Sequence, residues 1–169
     1  MIGLCIAFEK QNNYGTQLQS YATIEAVKNL GYDCEIIIYH RKGGIIENLC
    51  QIKRLFHDEA IKGYISSKKR AKLVKKDTEF GNGYRLRREY VKAFKEKYFF
   101  PFSKTYTGYK ELCKGSRNCS TVLVGSDQVW LPSGYASKFY NLMFVPDDIP
   151  KISYASSFGV SSISRYHQK

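Results

Sequence analysis

The chain has 169 residues, 43% hydrophobic and 25% charged, which fits one globular domain with a sizeable core and excludes a disordered polypeptide. Its formal charge of +12, from 27 basic against 15 acidic residues, predicts attraction to anions without choosing among phosphorylated metabolites, nucleic acid and anionic lipid. The five scattered cysteines suit reduced thiols rather than a disulfide frame. The spacing of Cys113 and Cys119 is not that of a zinc knuckle, so neither metal nor cofactor is expected.

Ile2 to Phe8 is apolar and β-rich and predicts a first strand. No basic n-region precedes it, and the run is too short for a signal peptide or a membrane span. A cytoplasmic location is therefore expected. Residues 9–14 form a polar loop. From Gly15 to Leu30 the period becomes helical, with Leu18, Tyr21, Ala22, Val27 and Leu30 on one face and Gly31 at the C-cap position. Cys34 to Tyr39 predicts a second buried strand. Strand, helix and strand make a βαβ unit, and its right-handed crossover makes the strands parallel.

Residues 45–98 read as a basic helical insertion, longer than one crossover needs. Gly81-Asn82-Gly83 is expected to be a turn within it, and Pro101 to end it. A short helix follows Thr107, taken as its N-cap. Thr121 to Gly125 is a β-branched, apolar run that ends in Ser126-Asp127-Gln128 and meets the single tryptophan, Trp130. Phe139 to Val145 is apolar, and Lys151 to Ala155 predicts a further strand ending at Ser156-Ser157-Phe158-Gly159. The fold class is α/β: an open, mostly parallel sheet.

Three loops, 9–15, 125–130 and 156–159, are expected on the carboxyl edge of that sheet, where ligands of such folds bind. Asn12, Asn13, Ser126, Asp127 and Gln128 suit sugar hydroxyls, while Tyr14 and Trp130 suit either a ring face or the core. Asp127 is the only carboxylate among these groups. It reads either as a general base or as a cap for backbone amides of its own loop. No phosphate loop follows the first strand; Gly15 leaves a helix N-terminus open to an anion. His40, His57 and His167 stand beside no Cys or carboxylate in a nucleophilic arrangement; His40, just after the second strand, reads as a surface-loop histidine or as one that faces the site. The basic region, interleaved with Tyr64, Tyr84, Tyr90, Phe94 and Tyr98, reads as a solvated helix pair or a patch for an anionic membrane. No named motif favours nucleic acid.

Three stretches together resemble the polysaccharide pyruvyl transferase family: Asn13-Tyr14-Gly15-Thr16-Gln17-Leu18-Gln19-Ser20-Tyr21-Ala22, Val124-Gly125-Ser126-Asp127-Gln128-Val129-Trp130, and Lys151 to Gly159. The resemblance implies a Rossmann-like domain, the N-terminal half of a glycosyltransferase-B-like two-domain fold, with the C-terminal domain outside residues 1–169. It also implies transfer of a pyruvyl group as a ketal from phosphoenolpyruvate to a sugar of a cell-surface polysaccharide or its precursor. Asp127 would be the catalytic residue. Asn13, Tyr14, Gly15, Gln17, Gly125, Ser126, Gln128, Trp130 and Ser157 would bind substrate. The alternative is a truncated, non-catalytic module that binds sugar or a polyanion. An exposed sheet edge would favour self-association into a homo-oligomer.

Overall fold

The computed structural model describes residues 1–42, 58–132 and 137–163. The chain divides into two compact units, Met1–Arg41 with Phe94–Lys169, and Lys42–Ala93. The first holds an open sheet of five strands, β1 (Ile2–Cys5), β2 (Cys34–His40), β3 (Ser103–Thr107), β4 (Thr121–Asp127) and β5 (Lys151–Ser156), in the order β3-β2-β1-β4-β5. Every pairing is parallel, so the sheet is Rossmann-like and more regular than the mixed sheet the sequence left open. The helices are α1 (Tyr14–Asn29), α2 (Asp58–Lys76), α3 (Thr78–Tyr98) and α4 (Tyr109–Ser116).

Strand order and crossover handedness together decide what covers each face. The chain leaves β1 toward β2 and β3, then crosses back to β4 and β5, and right-handed connections put those two halves on opposite faces. On one face Leu4, Ile6, Ile36 and Ile38 pack with Ile24 and Val27 of α1 and with Phe99. On the other, Cys5, Ile37, Val122 and Val124 pack with Leu112 of α4 and with Val129, Phe139, Leu142, Phe144 and Val145. Each fully buried Ile, Leu or Phe contributes about 1.5–3 kcal/mol relative to exposure, so these two layers hold the sheet together.

Several local expectations change. β1 stops at Cys5, although Ile6 and Phe8 are still buried, because the chain turns there toward α1. The buried residues of α1 are Thr16, Gln17, Ser20, Ile24 and Val27, while Leu18 and Leu30 are exposed. Its first turns face loop backbone rather than apolar core, so polar side chains are what that face requires. The end of α1 is a Schellman arrangement: Gly31 N donates to Lys28 O (2.8 Å) and Tyr32 N to Val27 O (3.3 Å).

β3 went unpredicted, and Thr107 is its last residue rather than a helix cap. The N-cap of α4 is Gly108, and Glu111 instead reaches back to accept from Thr107 N at 3.1 Å. Gly81-Asn82-Gly83 lies inside α3, not in a turn. The break falls at Asp77, whose Oδ1 accepts from Phe80 N at 2.9 Å and starts α3. Gly81 is there for space: a Cβ would stand 2.5 Å from the carbonyl oxygen of Val74. Residues 45–57 of the expected insertion, with Cys50 and His57, lie outside the described residues, as does His167. Cys5, Cys34, Cys113 and Cys119 are free thiols.

Candidate functional site

The strand order reverses between β1 and β4, and the loops leaving their carboxyl ends meet there. The first loop is fixed from outside. Gln17 of α1 is only 2% exposed. Its Nε2 donates to Phe8 O (3.1 Å) and Gln11 O (3.0 Å). From the opposite helix Lys95 of α3, 7% exposed, donates from Nζ to Glu9 O and Gln11 O, both at 2.7 Å. Burial lowers the Lys95 pKa from the ordinary lysine value, and the negative charge of Glu9 works against that shift. With its carbonyls taken up by these two side chains, the loop leaves Asn12, Asn13 and Tyr14 exposed. Asn13 is the N-cap of α1, its Oδ1 accepting from Gly15 N at 3.0 Å.

The second loop is fixed by its own backbone. Gly125 has φ +141°, and a Cβ there would stand 2.0 Å from Tyr154 O of the neighbouring strand. Asp127 has φ +96°, a conformation that costs a residue with a Cβ and that recurs at functional sites. Its carboxylate is exposed, and Oδ1 accepts from Gln128 N at 2.8 Å. Both readings of Asp127 therefore hold at once: one oxygen caps a backbone amide of its loop, and the carboxylate still faces solvent. Ser157 N donates to Asp127 O (3.0 Å) and Trp130 N to Ser157 O (3.1 Å), which stitches the third loop to the second. Gln19 Nε2 donates to Ser126 Oγ and ties the second loop to α1.

The sequence-derived site residues thus divide. Asn13, Tyr14 and Gly15 stand at the N-terminus of α1. Gly125, Ser126, Asp127, Gln128, Trp130 and Ser157 form the second cluster, with Gln128 packed against Gly159. Gln17 points inward and holds the first loop. Trp130 is half-buried, donates Nε1 to Tyr140 O at 3.0 Å and lies 5.9 Å from the Phe158 ring.

Sequence reasoning did not single out Lys95, Glu9 or Tyr140, and it left His40 between a surface loop and the site. Lys95 was hidden in a basic stretch, although it falls four residues after Val91 and three before Tyr98, on the apolar stripe of its helix. His40 is the last residue of β2, and its Nε2 lies 2.6 Å from Glu9 Oε1. The Tyr140 phenol, which no sequence signal singled out, has its pKa pushed up by burial first and then by its electrostatic interaction with Cys5, Glu9 and Asp127.

The carboxyl edge of the parallel sheet thus carries an exposed carboxylate, a histidine–glutamate pair and polar loop groups, the kind of lining that suits a polar ligand. The family model for polysaccharide pyruvyl transferase matches residues 13–169, and the chain belongs to that transferase family. Membership implies a sugar acceptor and a donor substrate in general terms. None of the curated proteins matches it as a relative. Among the described residues no helix is long and apolar enough to cross a membrane.

Proposed function

We propose that the chain is the N-terminal, Rossmann-like domain of a two-domain, glycosyltransferase-B-like pyruvyl transferase in the cytoplasm. Its donor is phosphoenolpyruvate, and its acceptor is a sugar of a cell-surface polysaccharide or of its precursor. The observation that supports this most directly is the exposed Asp127 carboxylate at the carboxyl end of β4, inside a stretch that the family model covers. A ketal forms when one sugar hydroxyl adds across the enol double bond and a second displaces phosphate. The first proton ends on the methylene carbon, which becomes methyl, and the second leaves with phosphate. Asp127 is suited to accept a hydroxyl proton as its oxygen attacks. Asn12, Asn13, Ser126 and Gln128 suit the remaining hydroxyls.

The test is to incubate the full-length protein with phosphoenolpyruvate and candidate oligosaccharides. Mass spectrometry then looks for a product heavier by pyruvate minus water, with release of phosphate. Asp127→Asn is expected to lower turnover by about 100-fold or more with the circular dichroism spectrum unchanged. Full activity in that variant removes Asp127 as the base, and no such product from any acceptor removes the pyruvyl transfer.

The exposed basic side chains of α2, Lys69, Arg70, Lys72, Lys75 and Lys76, favour a second reading, in which the chain also docks on anionic surfaces. Sedimentation with anionic but not neutral vesicles, lost on raising salt, would bear that out.

A further inference from the structure

We propose that His40 is a second acid/base residue of this site, with Glu9 and Lys95 as the residues that position it. The inference rests on the transferase reading above and adds a catalytic group to it. His40 ends β2, directly beside β1, so its ring stands on the same carboxyl edge as the loops of β1 and β4. Glu9 Oε1 is 2.6 Å from His40 Nε2, the length of a strong charge-assisted contact. Glu9 is itself held by its main chain, where Lys95 Nζ donates to its carbonyl at 2.7 Å.

The His40 side chain is 44% exposed and Glu9 30%, so the pair is open to a ligand. Nδ1 of His40 has no hydrogen-bond partner among the described residues. Asp127 ends β4, which pairs with β1 on its other side, so the pair and Asp127 share one carboxyl edge of the sheet.

A carboxylate on Nε2–H fixes the tautomer in which Nδ1 is the free base, and it stabilises the imidazolium that forms when Nδ1 takes a proton. Ketal formation has a use for such a group. In the addition step His40 Nδ1 takes the proton of one hydroxyl while that oxygen bonds to the enol carbon bearing phosphate and the π pair of the double bond moves to the methylene carbon. The same proton is then delivered to the methylene carbon, so the histidine returns to its starting state and no external acid is consumed. Asp127 serves the second hydroxyl, whose proton leaves with phosphate.

The test uses the full-length protein and compares the pH dependence of kcat for wild type, His40→Gln and Glu9→Gln. Among the described residues the charged groups facing His40 or next to it are Glu9 on the first loop and Arg41 in the chain, with Lys95 of α3 bonded to the Glu9 carbonyl. Thr107 and Gly108 opposite it on the β3 side carry no charge. His40→Gln is expected to cut kcat by about 100-fold or more and to abolish the acidic limb of the profile. Glu9→Gln should cut kcat about 10-fold with KM little changed, because the ring is no longer held in the reactive tautomer. A structural role alone would lower stability and leave the limb in place. If His40→Gln does not fold, the loss of kcat at unchanged KM in Glu9→Gln decides. Ketal formation with unaltered profiles in the variants overturns the role of His40 while the transferase reading stands. No ketal formation by wild type overturns both.

Discussion

The two loops at the switch point reach the same end by different physics. The β1 loop has little structure of its own and is held by a buried amide and a buried amine, Gln17 and Lys95, supplied by two helices. The β4 loop is held by main-chain conformation, with Gly125 and Asp127 at positive φ and Ser157 bonded into it. The first should be sensitive to the loss of one distant side chain, and the second to any change in allowed backbone angles. A loop held by helices also inherits their packing, whereas a loop held by its own angles leans mainly on the strand beside it, with the single tie from Gln19 of α1 added.

The largest effect is expected where the second loop meets β5. Gly125→Ala places a Cβ 2.0 Å from Tyr154 O, a backbone atom that cannot step aside without parting β4 from β5. It also forces φ +141° on a residue with a side chain. A loss of about 3 kcal/mol or more is expected, or failure to fold, read from the urea midpoint. Near wild-type stability would show that the loop is not defined by its backbone and would erase the contrast.

Lys95→Met comes next. The variant keeps the apolar stem but removes both hydrogen bonds, leaving Glu9 O without this donor while Gln11 O keeps Gln17. Bonds from a charged donor are worth about 1.5–3 kcal/mol, so a loss of about 2 kcal/mol is expected. The pH dependence sharpens this. The folded pKa of Lys95 lies below the unfolded value of about 10.4, so between the two the unfolded chain binds more protons. Stability therefore gains a rising contribution with pH across that window, because the cost of burying the charge is relieved. The difference between wild type and Lys95→Met should show that rise, and a flat difference would mean that the amine is solvated.

What the sequence showed and what it hid follow the same division. β4 was legible because Val122 and Val124 fill a core and the run stops at a polar loop. The cluster from Gly125 to Trp130 was legible because it is local in the chain. β3 was not, since it is an edge strand in which Tyr106 alone is buried, so neither an apolar run nor a clean alternation marks it. Lys95 and Glu9 are 86 residues apart, and no local pattern announces that a lysine among surface lysines turns inward. His40, just after the second strand, was already a candidate to face the site, but its pairing with Glu9 shows only when β2 is laid beside β1. Gly81 misled because glycine signals both turns and close approaches, and here the carbonyl of Val74 required the second.

The smallest effect separates conformation from chemistry at Asp127. Asp127→Ala and Asp127→Gly both remove the carboxylate and its bond to Gln128 N, so both should lose activity alike. They differ only in what φ +96° costs, which glycine does not feel and alanine does. Asp127→Gly should therefore be the more stable of the two by about 1 kcal/mol, measured as the difference in unfolding free energy under identical conditions. Equal stabilities would mean that the backbone relaxes once the side chain is gone, and that the carboxylate–amide bond, not the strand pairing, holds the residue at positive φ. In that case the second loop is organised by a side chain after all, and the two loops differ only in how far away their supports lie.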